Sequence, residues 1–204
     1  MNFGAEDIRI WLCHCAERMI SSAPELNELD ARLGDGDLGV TLEKCGEQML
    51  SALVEQEDHQ PADYFKASAS ACIRASGSSF GTLMGVAYMT VAKETAGKEE
   101  LEFDNIAPLI STVIEALMAR GGGKLGDKTA LDSLDAIRRA IQRANQSSNL
   151  KEISCQAADR AIDALLDQPN KIGRARMFAD KSIGLKDPGI VAVSRIIGSD
   201  NGRA

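Results

Sequence analysis

The stretch LDARLGDGDLGVTLEKCG, residues 29–46, joins two helical segments through a loop rich in glycine and aspartate. It brings Asp30, Asp35 and Asp37 close together along the chain. Carboxylates at this density repel one another unless a cation compensates their charge. Mg²⁺ takes oxygen ligands and commonly bridges carboxylates to substrate phosphates. The stretch therefore predicts a metal site, with a solvated acidic turn as the alternative because turns favour the same residues.

The sequence on both sides of this loop has the periodicity of helices. In the first segment, apolar side chains recur at helical spacing at Ile8, Trp11, Leu12, Cys15 and Met19. A second segment leads to Asp30, and further helices are predicted over residues 38–57, 62–75, 80–95, 105–120, 128–145, 149–167 and 190–198, with a loop-like tail over 170–189. No repeat and no long linker divides the chain. We therefore expect residues 1–204 to form a single all-α domain of about eight helices.

The composition limits the classes of partner. The net charge is −7, with 44% hydrophobic residues. A surface of this sign repels phosphate backbones, so we expect no nucleic-acid partner. No apolar run approaches the ~18 residues of a membrane span, and the N-terminus has no signal-peptide pattern. The five cysteines are scattered and odd in number, which is typical of reduced thiols, and we expect a cytoplasmic protein.

Glycine-rich breaks recur at the predicted helix junctions, at residues 34–39, 77–81, 121–126 and 184–189. In an antiparallel bundle, alternate junctions lie at the same end. We therefore expect several of these loops to converge on one rim.

The acidic loop begins like an EF-hand but does not continue as one. Counted from Asp35, the sixth position is Val40 where the motif needs glycine, and the twelfth is Gly46 where it needs glutamate. A magnesium ion that shares a phosphate ligand fits the loop better than a calcium site made only of protein groups.

The segment GGGKLGDKT, residues 121–129, resembles a P-loop, but Asp127 separates Gly126 from Lys128, whereas the motif needs lysine directly after glycine. The segment also follows a helix instead of a strand. It keeps a glycine-rich turn before a helix start, which can receive an anion, and Asp127 is also a candidate N-cap. The segment SGSSFG, residues 76–81, has the same two interpretations.

The two histidines do not form a catalytic or metal-binding set. His14 lies between Cys13 and Cys15, which face away from each other on a helix, and His59 lies in a polar break. If the protein is an enzyme, it does not rely on its own histidine base. Phosphoryl transfer tolerates this, because positioning and charge neutralisation carry most of the catalysis.

Together these motifs resemble the nucleotide-binding L subunit, or Dak2-type domain, of dihydroxyacetone kinases. The family pattern is Leu-Asp, then Gly-Asp-(Gly/Ala)-Asp-His-Gly, and later Gly-Asp-Lys-Thr. The matching segments here are Leu29-Asp30, residues 34–39, GSSFG (77–81), GDKTALD (126–132), GRAR (173–176) and SIGLKDPG (182–189). They span nearly the whole chain in the family's order.

The resemblance implies an antiparallel barrel of eight helices with the nucleotide at one end. Asp30, Asp35 and Asp37 would be the catalytic residues and would hold two Mg²⁺ ions that bridge the phosphates of ADP or ATP. The nucleotide-binding residues implied are Leu38, Gly39, Thr41, Ser78, Ser79, Gly121, Ala130, Arg174, Asp187, Pro188 and Gly189. Of these, the serines and the segment from Gly39 to Thr41 would approach the phosphates. Gly121 and Ala130 would line the adenine.

The resemblance also implies partners. A small ketose would be held on a histidine of a separate K-type subunit, and the L subunit is expected to be a homodimer. The nucleotide either exchanges as ATP or stays bound as ADP and is rephosphorylated by an M-type subunit of a phosphotransferase system. The sequence does not name the ketose, which is dihydroxyacetone or a tetrulose.

Five positions depart from the family pattern. Leu38 replaces a histidine, Thr41 and Leu42 replace an Asn-Met pair, Phe80 stands where the family has a phosphate-binding serine, and Ala130 replaces a methionine. These changes alter residues expected to contact the nucleotide, whereas Asp30, Asp35 and Asp37 are retained. The kinase subunit is therefore weighed against a non-enzymatic nucleotide-sensing subunit. A fatty-acid-kinase-like domain is less consistent with a chain of this length.

Overall fold

The computed structural model describes residues 1–55, 60–75 and 77–199, so His59 and Ser76 lie outside the described residues. The described chain is almost entirely helical. Its elements are β1 (Asn2–Gly4), α1 (Ala5–Ser21), α2 (Ala23–Leu33), α3 (Leu38–Glu55), α4 (Pro61–Ala75), α5 (Ser79–Glu94), β2 (Glu100–Glu102), α6 (Phe103–Gly121), α7 (Ala130–Arg143), α8 (Leu150–Ala164), a 3-10 segment (Arg174–Ser182) and α9 (Pro188–Ile197). The prediction of an all-α fold is confirmed. None of the described helices is both long and apolar enough to cross a membrane.

The elements differ from the sequence prediction at a few places. The second helical segment was predicted to lead to Asp30, whereas α2 continues past Asp30 to Leu33. The tail predicted as loop-like contains the 3-10 segment, which is interrupted at Ala179, where φ is 43°. The small sheet, in which β1 pairs antiparallel with β2, was not predicted. Three-residue strands give no periodic signal that a sequence pattern could detect.

The helices close into a ring. Each helix from α3 to α8 packs on the next one in the chain, α9 packs on α7 and α8, and α1 packs on both α9 and α3. Consecutive helices that are joined by short connections and pack on each other run antiparallel. The result is a closed barrel in which the junctions α2–α3, α4–α5, α6–α7 and α8–α9 lie at the same end.

Two glycines let α3 approach its neighbours. A Cβ on Gly46 would lie 2.6 Å from the backbone oxygen of Ala16 in α1, and a Cβ on Gly39 would overlap the backbone oxygen of Ala23 in α2. Such contacts leave no space for a side chain. The glycines therefore fix the position of α3, which begins directly after the acidic loop.

The main core is centred on α1 and α3 and also includes buried side chains of α2, α4, α5, α8 and α9. The side chains of Leu12, Leu26, Leu42 and Met49 are fully buried there. The prediction that Trp11 shares this face is wrong in one respect: Trp11 is 44% exposed, although its ring lies 6.4 Å from that of Phe65.

Candidate functional site

The four glycine-rich junctions meet at a cleft of about 1400 Å³ at one end of the barrel. The predicted convergence of these loops is therefore confirmed. The predicted site residues that line this cleft are Asp30, Asp35, Asp37, Leu38, Thr41, Ser78, Ser79, Gly121, Ala130, Arg174, Asp187, Pro188 and Gly189.

Gly39 is the predicted site residue that does not line the cleft. It is buried, and the direction of its missing Cβ points to Ala23 and Asn27 of α2. The Asn27 side chain also accepts a hydrogen bond from the Val40 N–H at 3.1 Å. The packing of α3 on α2 thus explains why glycine is needed at position 39. A sequence motif does not show whether a glycine is needed for helix packing or for contact with a ligand.

The three acids come together from two elements. Asp30 projects from the last turn of α2, and Asp35 and Asp37 lie in the loop before α3. One carboxylate oxygen from each acid lies within 4.8 Å of the others. Three hard oxygen donors at this spacing fit a divalent cation such as Mg²⁺.

Asp30 has a second role, which the sequence did not indicate. Its Oδ2 accepts hydrogen bonds from the N–H groups of Asp37 at 3.0 Å and Leu38 at 3.3 Å. It therefore holds the loop against the start of α3. A Cβ on Gly34 would overlap Oδ1 of Asp30, which explains the glycine at this position.

The acids are only partly compensated by protein groups. Desolvation and the negative charges of Asp35 and Asp30 raise the pKa of the Asp37 carboxyl, and the positive charge of Arg174 opposes this shift. Nη1 of Arg174 forms an ion pair with Oδ2 of Asp35. The cluster is therefore a negatively charged site, and Arg174 compensates part of its charge.

At three of the four helix starts at the cleft, a carboxylate accepts hydrogen bonds from backbone N–H groups at or just before the helix. Asp30 serves α3. Asp132 accepts from the N–H of Thr129 at 2.8 Å before α7, and Asp187 accepts from the N–H of Ile190 at 2.9 Å in α9. A carboxylate at a helix start occupies the position that an anionic ligand would take.

The start of α7 therefore differs from its prediction. The N-cap is Thr129, whereas Asp127 accepts the N–H of Lys124 at 2.8 Å in the preceding turn. Asp132 also accepts the N–H of Gly126 at 2.6 Å. Two of the backbone N–H groups around the predicted anion site at residues 127–129 thus bond to the chain's own carboxylate, and Ala130 lines the cleft.

Helix α5 has the contrasting start. Its N-cap is the neutral Ser78, whose Oγ accepts the N–H of Gly81 at 3.1 Å. In the described part of the chain, no carboxylate hydrogen-bonds to this helix start. Of the four, α5 is therefore the helix end whose dipole is best able to attract an anion.

Beyond its polar rim, the cleft continues between the helices and becomes apolar. Apolar and aromatic side chains well inside the helices line this part, among them Trp11, Met84, Tyr88, Leu117, Leu134 and Ile196. Phe80 lies at the boundary. Its Cε2 is 3.6 Å from the position that a Cβ on Gly189 would take, so its ring packs against the first turn of α9.

A buried polar cluster that the sequence did not predict holds that turn. The Lys128 side chain is 1% exposed, and its Nζ donates to the backbone oxygens of Leu166, Gln168 and Ser182 at 3.3, 2.8 and 3.0 Å. Burial lowers the pKa of the Lys128 ammonium. One lysine therefore joins the start of α7, the end of α8 and the 3-10 segment.

Asn170 connects this cluster to the rim of the cleft. Its Nδ2 donates to the backbone oxygen of Lys128 at 3.0 Å and to Oδ2 of Asp187 at 2.7 Å. Burial raises the pKa of Asp187 to about 6, and the hydrogen bonds from Ile190 and Asn170 oppose the shift. Within the sequence, the segments GDKTALD (126–132) and SIGLKDPG (182–189) pointed to this region, but not the bonds that Lys128 and Asn170 form.

Similarity to known proteins agrees with this geometry. Residues 32–199 match the DAK2 domain. The chain is 26% identical over 179 residues to the ADP-binding subunit DhaL of PEP-dependent dihydroxyacetone kinase 1 of Listeria innocua, covering 88% of this chain and 86% of that subunit. It is 21% identical over 197 residues to the corresponding DhaL subunit of Escherichia coli, covering 95% of this chain and 94% of that one.

Longer proteins contain a similar region. The chain is 28% identical to L-erythrulose kinase of Pectobacterium atrosepticum, of which it spans 31%. The crystal structure of the dihydroxyacetone kinase of C. freundii superposes with a TM-score of 0.73 at 20% identity, over 96% of this chain and 34% of that one. The latter similarity shows a shared fold. Because the DAK2 match extends over most of its length, the chain belongs to the DAK2 domain family.

Proposed function

We propose that this chain is the nucleotide-binding subunit of a small-ketose kinase. It would bind ADP or ATP with Mg²⁺ in the cleft, and a phosphoryl group would pass to a ketose held on a separate K-type subunit. The observation that carries the proposal is the pairing of two features in one cleft: a three-carboxylate cluster and a helix start whose N-cap is the neutral Ser78.

Asp30, Asp35 and Asp37 would hold the metal, and two ions are proposed on the basis of the family resemblance. Bound Mg²⁺ supplies charge neutralisation for the nucleotide phosphates. The described residues of the cleft include no histidine, which fits a reaction in which positioning and charge carry the catalysis.

The start of α5 would receive the phosphates through Ser78, Ser79 and the first backbone N–H groups of the helix. Leu38 and Thr41 at the start of α3 would lie beside the same phosphates. The proposal is supported by the electrostatics of the cleft, because the carboxylates that cap α3, α7 and α9 repel an anion.

The base would lie at the other side of the cleft, against Gly121 and Ala130. An apolar wall suits an aromatic ring better than a phosphate. Asp187, Pro188 and Gly189 would close the site from the start of α9, and Arg174 would contact the phosphates from the 3-10 segment.

The assembly is proposed by similarity. The relatives from L. innocua and E. coli that share the length of this chain are named as subunits of PEP-dependent dihydroxyacetone kinases. A single domain over residues 1–204, a K-type partner, an M-type phosphodonor and a homodimer are therefore proposed here. The similarity to L-erythrulose kinase, a protein about three times as long, leaves two alternatives open: an ATP-exchanging mode and a tetrulose substrate.

A second candidate is a nucleotide-sensing subunit without turnover. Two apolar side chains at the phosphate end of the cleft, Leu38 and Phe80, motivate it. They remove polar contacts to the phosphates and leave the metal ligands in place. Nucleotide binding that persists without phosphoryl transfer to any ketose, in the presence of a K-type subunit, would favour this candidate.

The first test is the nucleotide content of the purified protein, measured by native mass spectrometry, with Asp35→Asn as the matched variant. Stoichiometric ADP that is lost in the variant supports the proposal and the phosphotransferase-coupled mode. Reversible binding of ATP on addition of Mg²⁺ supports the exchanging mode. A folded protein that binds neither nucleotide overturns the kinase proposal.

A further inference from the structure

Arg174 connects two parts of the chain that are distant in sequence. It begins the 3-10 segment, and its Nη1 forms an ion pair with Oδ2 of Asp35 in the loop between α2 and α3. Among the described residues, Arg174 is the one cationic side chain that forms an ion pair with Asp30, Asp35 or Asp37. Asp35 is also one of the three carboxylates that would bind the metal.

A guanidinium and a divalent cation repel each other when both contact this carboxylate. Both are positive, and placing them on one acid brings like charges within a few ångströms of each other. A metal ion at Asp30, Asp35 and Asp37 therefore disfavours the Arg174 ion pair, and the ion pair disfavours the metal by the same free energy.

The arginine is able to leave. Its side chain is 63% exposed and that of Asp35 is 39% exposed, so a rotamer change is sufficient to separate them. Arg174 also lines the cleft into which the start of α5 points. A guanidinium released from Asp35 thus remains within the cleft and suits bidentate contact with a phosphate.

We propose that Arg174 is an exchangeable counter-ion of the acidic cluster: it competes with the metal ion for Asp35 and, once displaced, binds the phosphates of the nucleotide. This inference rests on the proposed function. It assigns to one side chain opposite effects on the two ligands, because Arg174 weakens the binding of the metal alone and strengthens the binding of the metal with nucleotide.

The test is Mn²⁺ binding, as a stand-in for Mg²⁺, to nucleotide-free protein by electron paramagnetic resonance. The variants are Arg174→Ala and, as matched control, Arg176→Ala. Arg176 lines the same cleft and has no ion pair within the described residues, so both variants lose the same charge. An exposed ion pair contributes up to about 1 kcal/mol, so Arg174→Ala is expected to bind Mn²⁺ about two- to fivefold more tightly than Arg176→Ala.

The second arm repeats the titration with ADP present. Arg174→Ala is then expected to bind Mn²⁺ and ADP together about tenfold more weakly than Arg176→Ala, because a charged hydrogen-bond donor to phosphate is lost. Equal Mn²⁺ affinities of the two variants without ADP, or weaker binding by Arg174→Ala, overturn the exchange. Unchanged ADP affinity overturns the second step.

The failure of the proposed function has a different signature. If neither the unmodified protein nor either variant binds Mn²⁺, the acidic cluster is not a metal site, and both the proposed function and the exchange are rejected. If all three bind Mn²⁺ with the same affinity, the metal site stands and the exchange alone is rejected.

Discussion

Gly34 shows how one atom can decide whether the acidic cluster forms. A Cβ at this position would overlap Oδ1 of Asp30. The Asp30 carboxylate would then have to rotate, and with it the oxygen that lies near Asp35 and Asp37. The same rotation would weaken the hydrogen bonds from the start of α3 to Oδ2.

Gly34→Ala is therefore expected to lower Mn²⁺ affinity by about tenfold or more, since one of three ligands is displaced. The fold should survive, because the loop is at the surface. Mn²⁺ titration and circular dichroism measure the two effects. Gly4→Ala is the control, since a Cβ there would meet only Oδ2 of Asp7 at 3.8 Å. Unchanged Mn²⁺ affinity in Gly34→Ala would show that Asp30 is not a ligand.

Asp187 links the stability of the protein to pH. Its pKa in the folded protein is about 6, above the ordinary value of about 3.9. The folded state therefore binds more protons than the unfolded state between these values. The sign of the linkage is that stability falls as pH rises through this window.

Asp187→Asn should remove this component. Urea unfolding at about pH 4.5 and about pH 7 is expected to show a larger loss of stability on raising the pH in the unmodified protein than in the variant. Asparagine can still cap α9, and the Oδ1 of Asn170, a buried atom without a hydrogen-bond partner among the described residues, is available to accept from it. An equal pH dependence in both proteins would contradict the raised pKa.

Among the elements, α3 depends on glycine for its position. The Cβ introduced by Gly46→Ala would lie 2.6 Å from the backbone oxygen of Ala16, and α1 would have to move away. Overpacking of this kind costs about 1–3 kcal/mol, although alanine is the better helix former. Urea unfolding measures the loss. Glu47→Ala, exposed on the same helix, should change stability by less than about 0.5 kcal/mol.

The 3-10 segment depends on a side chain from another element. Lys128→Met leaves the backbone oxygens of Leu166, Gln168 and the buried Ser182 without their donor. We expect a loss of about 3 kcal/mol in the free energy of unfolding. Lys66→Met on the exposed face of α4 is the control and should be near neutral. A small loss in Lys128→Met would mean that water replaces the ammonium.

These elements also explain what the sequence could predict. The long helices were predictable because the spacing of apolar residues such as Ile8, Leu12 and Met19 is a local property. The segment Arg174–Ser182 was predicted as loop because its order comes from Lys128, which is 54 residues before Ser182. The true cap of α7 was missed because Asp127 and Thr129 are both favourable cap residues.

At the scale of the molecule, the convergence of the loops followed from helix count alone, because alternate junctions of an antiparallel ring share one end. The charge of each helix start did not follow. It depends on which carboxylate accepts a backbone N–H at the helix start, as Asp132 does from Thr129. The sequence does not show this, because it depends on the side-chain conformation. The consequence is a cleft in which three helix starts have a carboxylate bonded to nearby N–H groups, whereas the fourth, that of α5, has the neutral N-cap Ser78.

This asymmetry predicts that metal and nucleotide stabilise the protein together and not separately. With a net charge of −7, the chain repels ADP unless Mg²⁺ occupies the acids. Saturation at about 100 times Kd contributes about 2.7 kcal/mol, which for a chain of this size corresponds to a Tm increase of roughly 5–10 °C. Differential scanning fluorimetry with Mg²⁺, with ADP and with both measures it.

Asp35→Asn tests the origin of that increase. The variant keeps the shape of the carboxylate but loses one negative charge, so ADP alone should be repelled less and the metal held more weakly. The combined Tm increase should fall by more than half, because the Mg²⁺ that couples the phosphates to Asp30 and Asp37 is then lost. Full stabilisation by ADP without Mg²⁺, in either protein, would show that the nucleotide binds by helix-end contacts alone and that the acids serve only to hold the loop.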